Sequence, residues 1–195
     1  MRYAHRTVRV IANVRRRVAE SAFVARVPQA EPLVAHLREQ FDPVAKLGMP
    51  AHVTLLYPFM SPELIDTAVV EQARTVVAGA HSFVFGLARV CRFTDLLYLA
   101  PDPSGPFIAL TERLQRQFPQ FPLYGGQYKS VVPHLTVAHG SELEHSRAEA
   151  ELRLALSATG GIACSVSEVV LMQNASGRWQ QMHAFPLTGT AHAAA

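Results

Sequence analysis

Residues 51–59 read AHVTLLYPF and residues 133–140 read PHLTVAHG. Each stretch holds His, an apolar residue, Thr and a second apolar residue, and the two histidines, His52 and His134, stand 82 positions apart. On a β-strand, side chains at i and i+2 point to one face. His52 therefore projects with Thr54, and His134 with Thr136, while Val53, Leu55, Leu135 and Val137 turn the other way into packing. If the two strands lie together, two imidazoles and two hydroxyls converge. Such a site suits a phosphate: the hydroxyls donate to non-bridging oxygens and the imidazoles flank the phosphorus. A neutral imidazole can take a proton from an attacking oxygen and an imidazolium can give one to a departing oxygen, with no metal required. One such motif among nine histidines and ten threonines carries little information, since roughly half a match is expected by chance. The weight rests on both copies lying in strand-like runs behind a proline or proline-alanine, at equivalent stations of a repeat.

That repeat is visible in the punctuation. FVARVP reads as a strand ending at Pro28, and EPLVAHLREQF as a helix with Leu33, Val34, Leu37 and Phe41 at helical spacing. The first His-Thr strand follows a loop through Asp42, Pro43 and Gly48. Ser61-Pro62 is then expected to cap a helix carrying Leu64, Ile65, Ala68, Val69 and Val76, stopped by Gly79. SFVFGLARVCRF and LLYLAP form a hairpin around Thr94 and Asp95. The order then restarts: LLYLAP parallels FVARVP, GPFIALTERLQRQF parallels the first helix, and the second His-Thr run parallels the first. SELEHSRAEAELRLAL opens on a capping box, Ser141 to Glu144, and ends at Gly160-Gly161. IACSVSEVVLM, read as one strand, and RWQQMHAFPL close the pattern as a hairpin around Asn174 to Gly177. The expected organisation is a basic N-terminal extension at 1–21, one bilobal domain at 22–187 with repeats at about 22–95 and 96–187, and a tail at 188–195.

The 195 residues are 49% hydrophobic by type, enough for one compact core, and hold no apolar run of bilayer-spanning length. The reading is a soluble, cytoplasmic monomer without a membrane partner. The net charge of +3 is a poor guide to nucleic-acid binding. Six of eighteen basic residues fall in the first twenty positions, and the remainder holds twelve basic against fourteen acidic residues. Cys91 and Cys164 sit in apolar runs at no metal-ligand spacing and read as buried free thiols. A His52, His134, His139, His183 metal cluster has neither helical spacing nor an acidic companion. No metal site and no cofactor is expected.

The motifs HVTL and HLTV, their separation and the duplicated pattern resemble the two-histidine (2H) phosphoesterase superfamily and, within it, the 2'-5' RNA ligase family. The resemblance covers roughly residues 22–187. It implies an α+β, bilobal, pseudo-twofold fold with two antiparallel sheets lining a central cleft and helices outside. It also implies metal-independent action on 2',3'-cyclic phosphate or 2',5'-linked ends of RNA or nucleotides, the reverse direction being ligation. His52 and His134 would be the catalytic pair and Thr54 and Thr136 the phosphate-binding residues. The substrate would be an RNA end, an oligonucleotide or a small cyclic nucleotide; which histidine is the base stays open.

Around this core, the loop FPQFPLYGGQYKS leads into the second motif, and Tyr124, Tyr128 and Lys129 could stack a base or meet a phosphate. Arg178, beside Trp179, is a further candidate contact. Tyr57 and His139, at odd separation from their motif histidines, are expected to face away from them. The alternative function is a non-catalytic RNA-end or nucleotide-binding module on the same fold, which would not need a paired acid and base.

Overall fold

A computed structural model describes residues 19–127 and 131–189. The Arg-rich stretch up to residue 18, Tyr128, Lys129 and the residues from 190 onward lie outside the described residues. Among the described residues, eight strands and five α-helices follow one another as β1 (Ser21–Arg26), α1 (Glu31–Phe41), α2 (Pro43–Lys46), β2 (His52–Leu56), α3 (Thr67–Ala78), β3 (Phe83–Phe93), β4 (Leu96–Asp102), α4 (Gly105–Gln117), β5 (Leu135–His139), α5 (Glu142–Thr159), β6 (Ile162–Val166), β7 (Glu168–Gln173) and β8 (Gln180–Pro186).

All paired strands are antiparallel, in the order β6-β3-β4-β5-β2-β1-β7-β8. They form one eight-stranded sheet where two were expected, with two four-stranded halves that, among the described residues, join between β2 and β5 through a single residue pair, Val53 with Leu135. Strands from the two parts of the chain are exchanged. β3, from before the repeat boundary, completes the half containing β4 and β5, and β7-β8, from the end, complete the half containing β1 and β2. The run expected as one strand from Ile162 to Met172 is accordingly two. β6 pairs with β3, β7 pairs with β1, and the chain crosses between halves at Ser167.

One face of both halves is packed beneath the helices. Phe23, Val53, Leu55, Leu87, Leu99, Leu135, Val137, Leu171 and Phe185 join Val34 and Leu37 of α1, Ala73 and Val77 of α3, Phe107 and Leu114 of α4 and Leu152 of α5 in a single core. This arrangement is what the apolar spacing of each helix calls for. The opposite face carries two smaller clusters. Ala22, Val24, Met49, Val170, Met172 and Trp179 lie on the first half, and Leu96, Tyr98 and Ala100 on the second.

Local signals set most boundaries. The Ser141 hydroxyl accepts from the Glu144 amide while the Glu144 carboxylate accepts from the Ser141 amide, and Gly160 ends α5 in the left-handed conformation. The helix expected from Ser61 is different: Pro62–Leu64 is a single 3-10 turn, Ile65 is extended, and α3 begins at Thr67, where the Asp66 carboxylate accepts from the Val69 amide at 2.9 Å. Asp66 supplies the cap that Ser61 does not.

Between α1 and α2 lies a buried ion pair. Arg38 is 2% exposed, Asp42 is fully buried, and the two meet at 3.0 Å, with Asp42 also accepting from the Val44 amide to start α2. Removing one member of such a pair strands the other charge. Asp42→Ala is expected to cost about 3–5 kcal/mol of unfolding free energy, measured by urea denaturation.

Candidate active site

The register at the sheet centre decides which side chains meet. Val53 pairs with Leu135 in antiparallel sense, so counting outward sets His52 across from Thr136, and Thr54 across from His134. Opposed residues on antiparallel strands share a face. Val53 and Leu135 are fully buried in the core beneath the helices, and His52, Thr54, His134 and Thr136 are half-buried on the other side. The structure thus brings together all four residues of the two motifs.

Both imidazoles are held alike. Nδ1 of His52 lies 2.7 Å from the Pro50 carbonyl oxygen, and Nδ1 of His134 lies 2.7 Å from that of Val132. A carbonyl can only accept, so each Nδ1 carries the hydrogen. When the ring is neutral, the Nε2 lone pair is left for chemistry. Two further bonds steady the strand end: the Ala51 amide donates to the Glu31 carboxylate at 2.6 Å, and the Val27 amide to the Ala51 carbonyl at 2.8 Å.

The surroundings of the two rings differ. Burial, then the Arg38 guanidinium, and to a smaller extent His134, push the His52 pKa down from 6.5 to about 3 against the opposing bond to Pro50. Burial also lowers His134, with a contribution from His139 and opposition from the bond to Val132. The influence of His139 reflects a correction to its expected orientation. β5 carries a bulge, with Leu97 paired to Ala138 but Tyr98 to Thr136. Val137 and Ala138 both enter the core, and the parity flips, so His139, partnered with Leu96, returns to the face of His134. β1 and β2 show the matching irregularity at Leu55-Leu56, and Tyr57 likewise emerges on the histidine face. Tyr57 is nevertheless packed, edge-on to Trp179 at 6.4 Å, and its hydroxyl donates to Glu20 at 2.8 Å.

Of the other candidate contacts, Tyr124 reaches the site. Its backbone adopts a left-handed φ of 51°, its amide donates to the Tyr57 carbonyl at 2.6 Å, and its ring lies 6.4 Å from that of His134 at an angle of 25°. Arg178 instead donates to the Lys46 carbonyl at 3.4 Å, beside Gly48, whose φ of 92° suits only glycine and whose missing Cβ lets the Trp179 carbonyl approach. Sequence reasoning missed two arginines. Arg26 is the cross-strand partner of His52 and is tied to Glu168, and Arg89 pairs with Ala100 on the face of Tyr98. Arg26 could have been found by extending the alternation of β1; Arg89 is concealed by a bulge in β3. Among the described residues no group of three or more His, Cys, Asp or Glu side chains could hold a metal, and no helix is long and apolar enough to cross a membrane. Cys91 and Cys164 are free thiols; Cys164 is buried as expected, whereas Cys91 is only partly covered.

A curved antiparallel sheet presenting a histidine and a threonine from each half defines a two-histidine phosphoesterase scaffold. The model of the 2'-5' RNA ligase superfamily matches residues 26–178, and the chain belongs to that superfamily. A Bacillus cytotoxicus protein named "putative phosphoesterase" is 29% identical over 122 residues, covering 60% of this chain and 68% of the relative. Among solved structures, Escherichia coli LigT complexed with 3'-AMP is similar with a TM-score of 0.54 and 15% identity, over 87% of this chain and 98% of LigT. A Thermus thermophilus protein is similar with a TM-score of 0.58 and 16% identity, over 88% of this chain and all of its own.

The depressed His52 pKa has a consequence for stability. Between about pH 6.5 and about 3 the unfolded chain protonates this histidine and the folded protein resists doing so, so the unfolded state binds more protons and stability falls as the pH drops through that window. Urea midpoints measured from pH 7 to pH 4 should decline less steeply in His52→Gln than in the wild type.

Proposed function

We propose that this protein is a metal-independent phosphodiesterase that opens 2',3'-cyclic phosphates or cleaves 2',5'-linked ends of RNA or nucleotides, with His52 as general base and His134 as general acid. The observation that carries this reading is the pair of imidazoles on one face, each with Nδ1–H engaged by a backbone carbonyl and Nε2 left for proton transfer. Membership of the superfamily supports phosphoester chemistry. The LigT structures with 3'-AMP and with NADP+ support a nucleotide as the bound class. Both histidines and both threonines belong to one chain, which supports action as a monomer, and free thiols suit a reducing compartment such as the cytoplasm.

In the cyclic reaction, Thr54 and Thr136 donate to the non-bridging oxygens. Nε2 of His52 takes a proton from water as the water oxygen bonds to phosphorus. The bond from phosphorus to one ribose oxygen breaks, and that oxygen takes the Nε2 proton of a protonated His134. Ligation runs the same transfers in the same direction with a ribose hydroxyl in place of water, and their reversal cleaves the 2',5' linkage and closes the cyclic phosphate. The electrostatics support this division. Burial and Arg38 keep His52 neutral, as a base must be, so the proton attracted by a bound phosphate falls to His134. Because the two rings share a site, a pH profile reports macroscopic values of the pair.

Turnover of nucleoside 2',3'-cyclic phosphates and of a 2',5'-linked dinucleotide, with products separated by phosphate position, tests the reading. His52→Ala and His134→Ala should each lower kcat by about 10²–10⁴-fold, and EDTA should leave turnover as it was. Intact turnover in either variant would refute the dyad; a folded wild type that binds nucleotides and turns over none of these substrates would point to a binding module. As the pH is lowered from 8 to 6, kcat/KM should rise, because the acid must be protonated and its pKa is lowered while the base stays neutral throughout that range.

A further inference from the structure

The two halves present the same catalytic groups but different walls. On the first half, the face beside His52 is closed: Val24, Met49, Val170 and Met172 pack around Trp179, which is 7% exposed, and the Tyr57 hydroxyl is occupied by Glu20. On the second half, three aromatic rings surround His134. Phe93 and Tyr98 each stand with ring centroids 5.5 Å from the imidazole, at 89° and 63°, and Tyr124 lies more nearly parallel at 6.4 Å. Phe93 and Tyr98 also stack on each other at 4.5 Å and 29°. Tyr98 is 7% exposed and forms the backing, whereas Phe93 is 40% exposed at the end of β3. A large aromatic ring left open to solvent beside a catalytic imidazole is poorly explained by packing alone, since its neighbours already cover the buried side. An open ring face suits a flat π-system, and a nucleobase is the flat group one ribose away from a 2'- or 3'-phosphorus.

We propose that the exposed ring of Phe93, backed by Tyr98, is the surface on which the substrate's nucleobase stacks, so that the ribose lies on the β3–β4 side of the phosphate and its departing oxygen faces His134. This rests on the phosphodiesterase reading and gives the pseudo-symmetric site a polarity. The nucleoside enters against the aromatic half, and water approaches from the half of His52. The polarity agrees with an independent feature, the buried Arg38 whose charge bears on His52 and disfavours a second positive charge there. Stacking area also favours purines over pyrimidines.

The test compares the full-length wild type with Phe93→Ala and Phe93→Trp on adenosine 2',3'-cyclic phosphate, its cytidine counterpart and glycerol 1,2-cyclic phosphate, which has the cyclic ester but no base. In Phe93→Ala the ratio of kcat/KM for the adenosine substrate to that for the glycerol substrate should fall about tenfold or more, and the preference for adenosine over cytidine should shrink. Phe93→Trp should retain both. An unchanged ratio, whether the two activities fall together or not at all, would overturn the proposal and leave Phe93 as packing for His134. Calorimetric binding of adenosine 3'-monophosphate and of inorganic phosphate separates this from the catalytic reading. If the wild type turns over nothing, the phosphodiesterase assignment fails, and the stacking surface is still decided by whether Phe93→Ala weakens the nucleotide about tenfold more than it weakens phosphate. Equal effects on the two ligands would overturn it.

Discussion

The site depends on one backbone pairing, Val53 against Leu135, which among the described residues is the single residue pair between the two halves of the sheet. Because strand side chains alternate, this pairing sends Val53 and Leu135 into the core and all four motif side chains to the opposite face. Slipping either strand by one residue would put a histidine among Leu55, Leu99 and Val137 and a fully buried aliphatic residue into the cleft. The apolar residues between the motif histidines and threonines therefore hold the register, and the polar ones inherit their meeting from it. So short a contact is sufficient because the exchange of β3 and β7 between halves ties each half to both parts of the chain, leaving neither half free to slide alone.

The bulges beside this pairing extend the same logic. In β5 and in β2 two successive apolar residues, Val137-Ala138 and Leu55-Leu56, both enter the core, and the next residue, His139 or Tyr57, is returned to the cleft face. A regular strand would have turned those two side chains into the helices. The bulge widens the site by one residue in each half, and the duplication explains why it occurs at equivalent places. What the two halves do with the gained position differs: Tyr57 is locked by Glu20 into a closed wall, and His139 sits close enough to His134 to affect its protonation.

Much of this was legible in the residues. The alternation of β1 and β2, the helical spacing of Leu33, Val34, Leu37 and Phe41, the capping box at Ser141 and the repeated order of elements are local signals, and local signals decided those elements. The motif pairs could be placed on one face because a two-residue period needs no tertiary information. What escaped were matters of partner choice. Nothing local distinguishes Ile162–Met172 as one strand from two strands crossing at Ser167, because both read as the same apolar run. Asp66 outcompetes Ser61 as a helix cap because Ile65 is extended, and that requires knowing how the 3-10 turn at Pro62–Leu64 packs. The bulges do carry a signal, the doubled apolar pairs Leu55-Leu56 and Val137-Ala138 interrupting a strict alternation. Arg26 was hidden only because its strand was read for its apolar face.

Symmetry of the scaffold and asymmetry of the chemistry are reconciled in the helices behind the sheet. α1 and α4 occupy corresponding places, yet the buried face of α1 carries Arg38 and that of α4 carries Thr111, each with a buried polar atom lacking a protein partner. A buried guanidinium is costly even when paired with Asp42, and a hydrophobic pair of similar volume would often serve stability as well. Its charge, present on one side alone, adds to the greater effect of burial in lowering the proton affinity of His52, while His139 acts on His134. Unequal proton affinity in a pair of rings favours one placement of a shared proton over the other, whereas two equal rings would populate both placements. The two halves thus share a scaffold and differ in what lies behind it, the buried Arg38 acting on His52 from outside the face that carries the four motif residues.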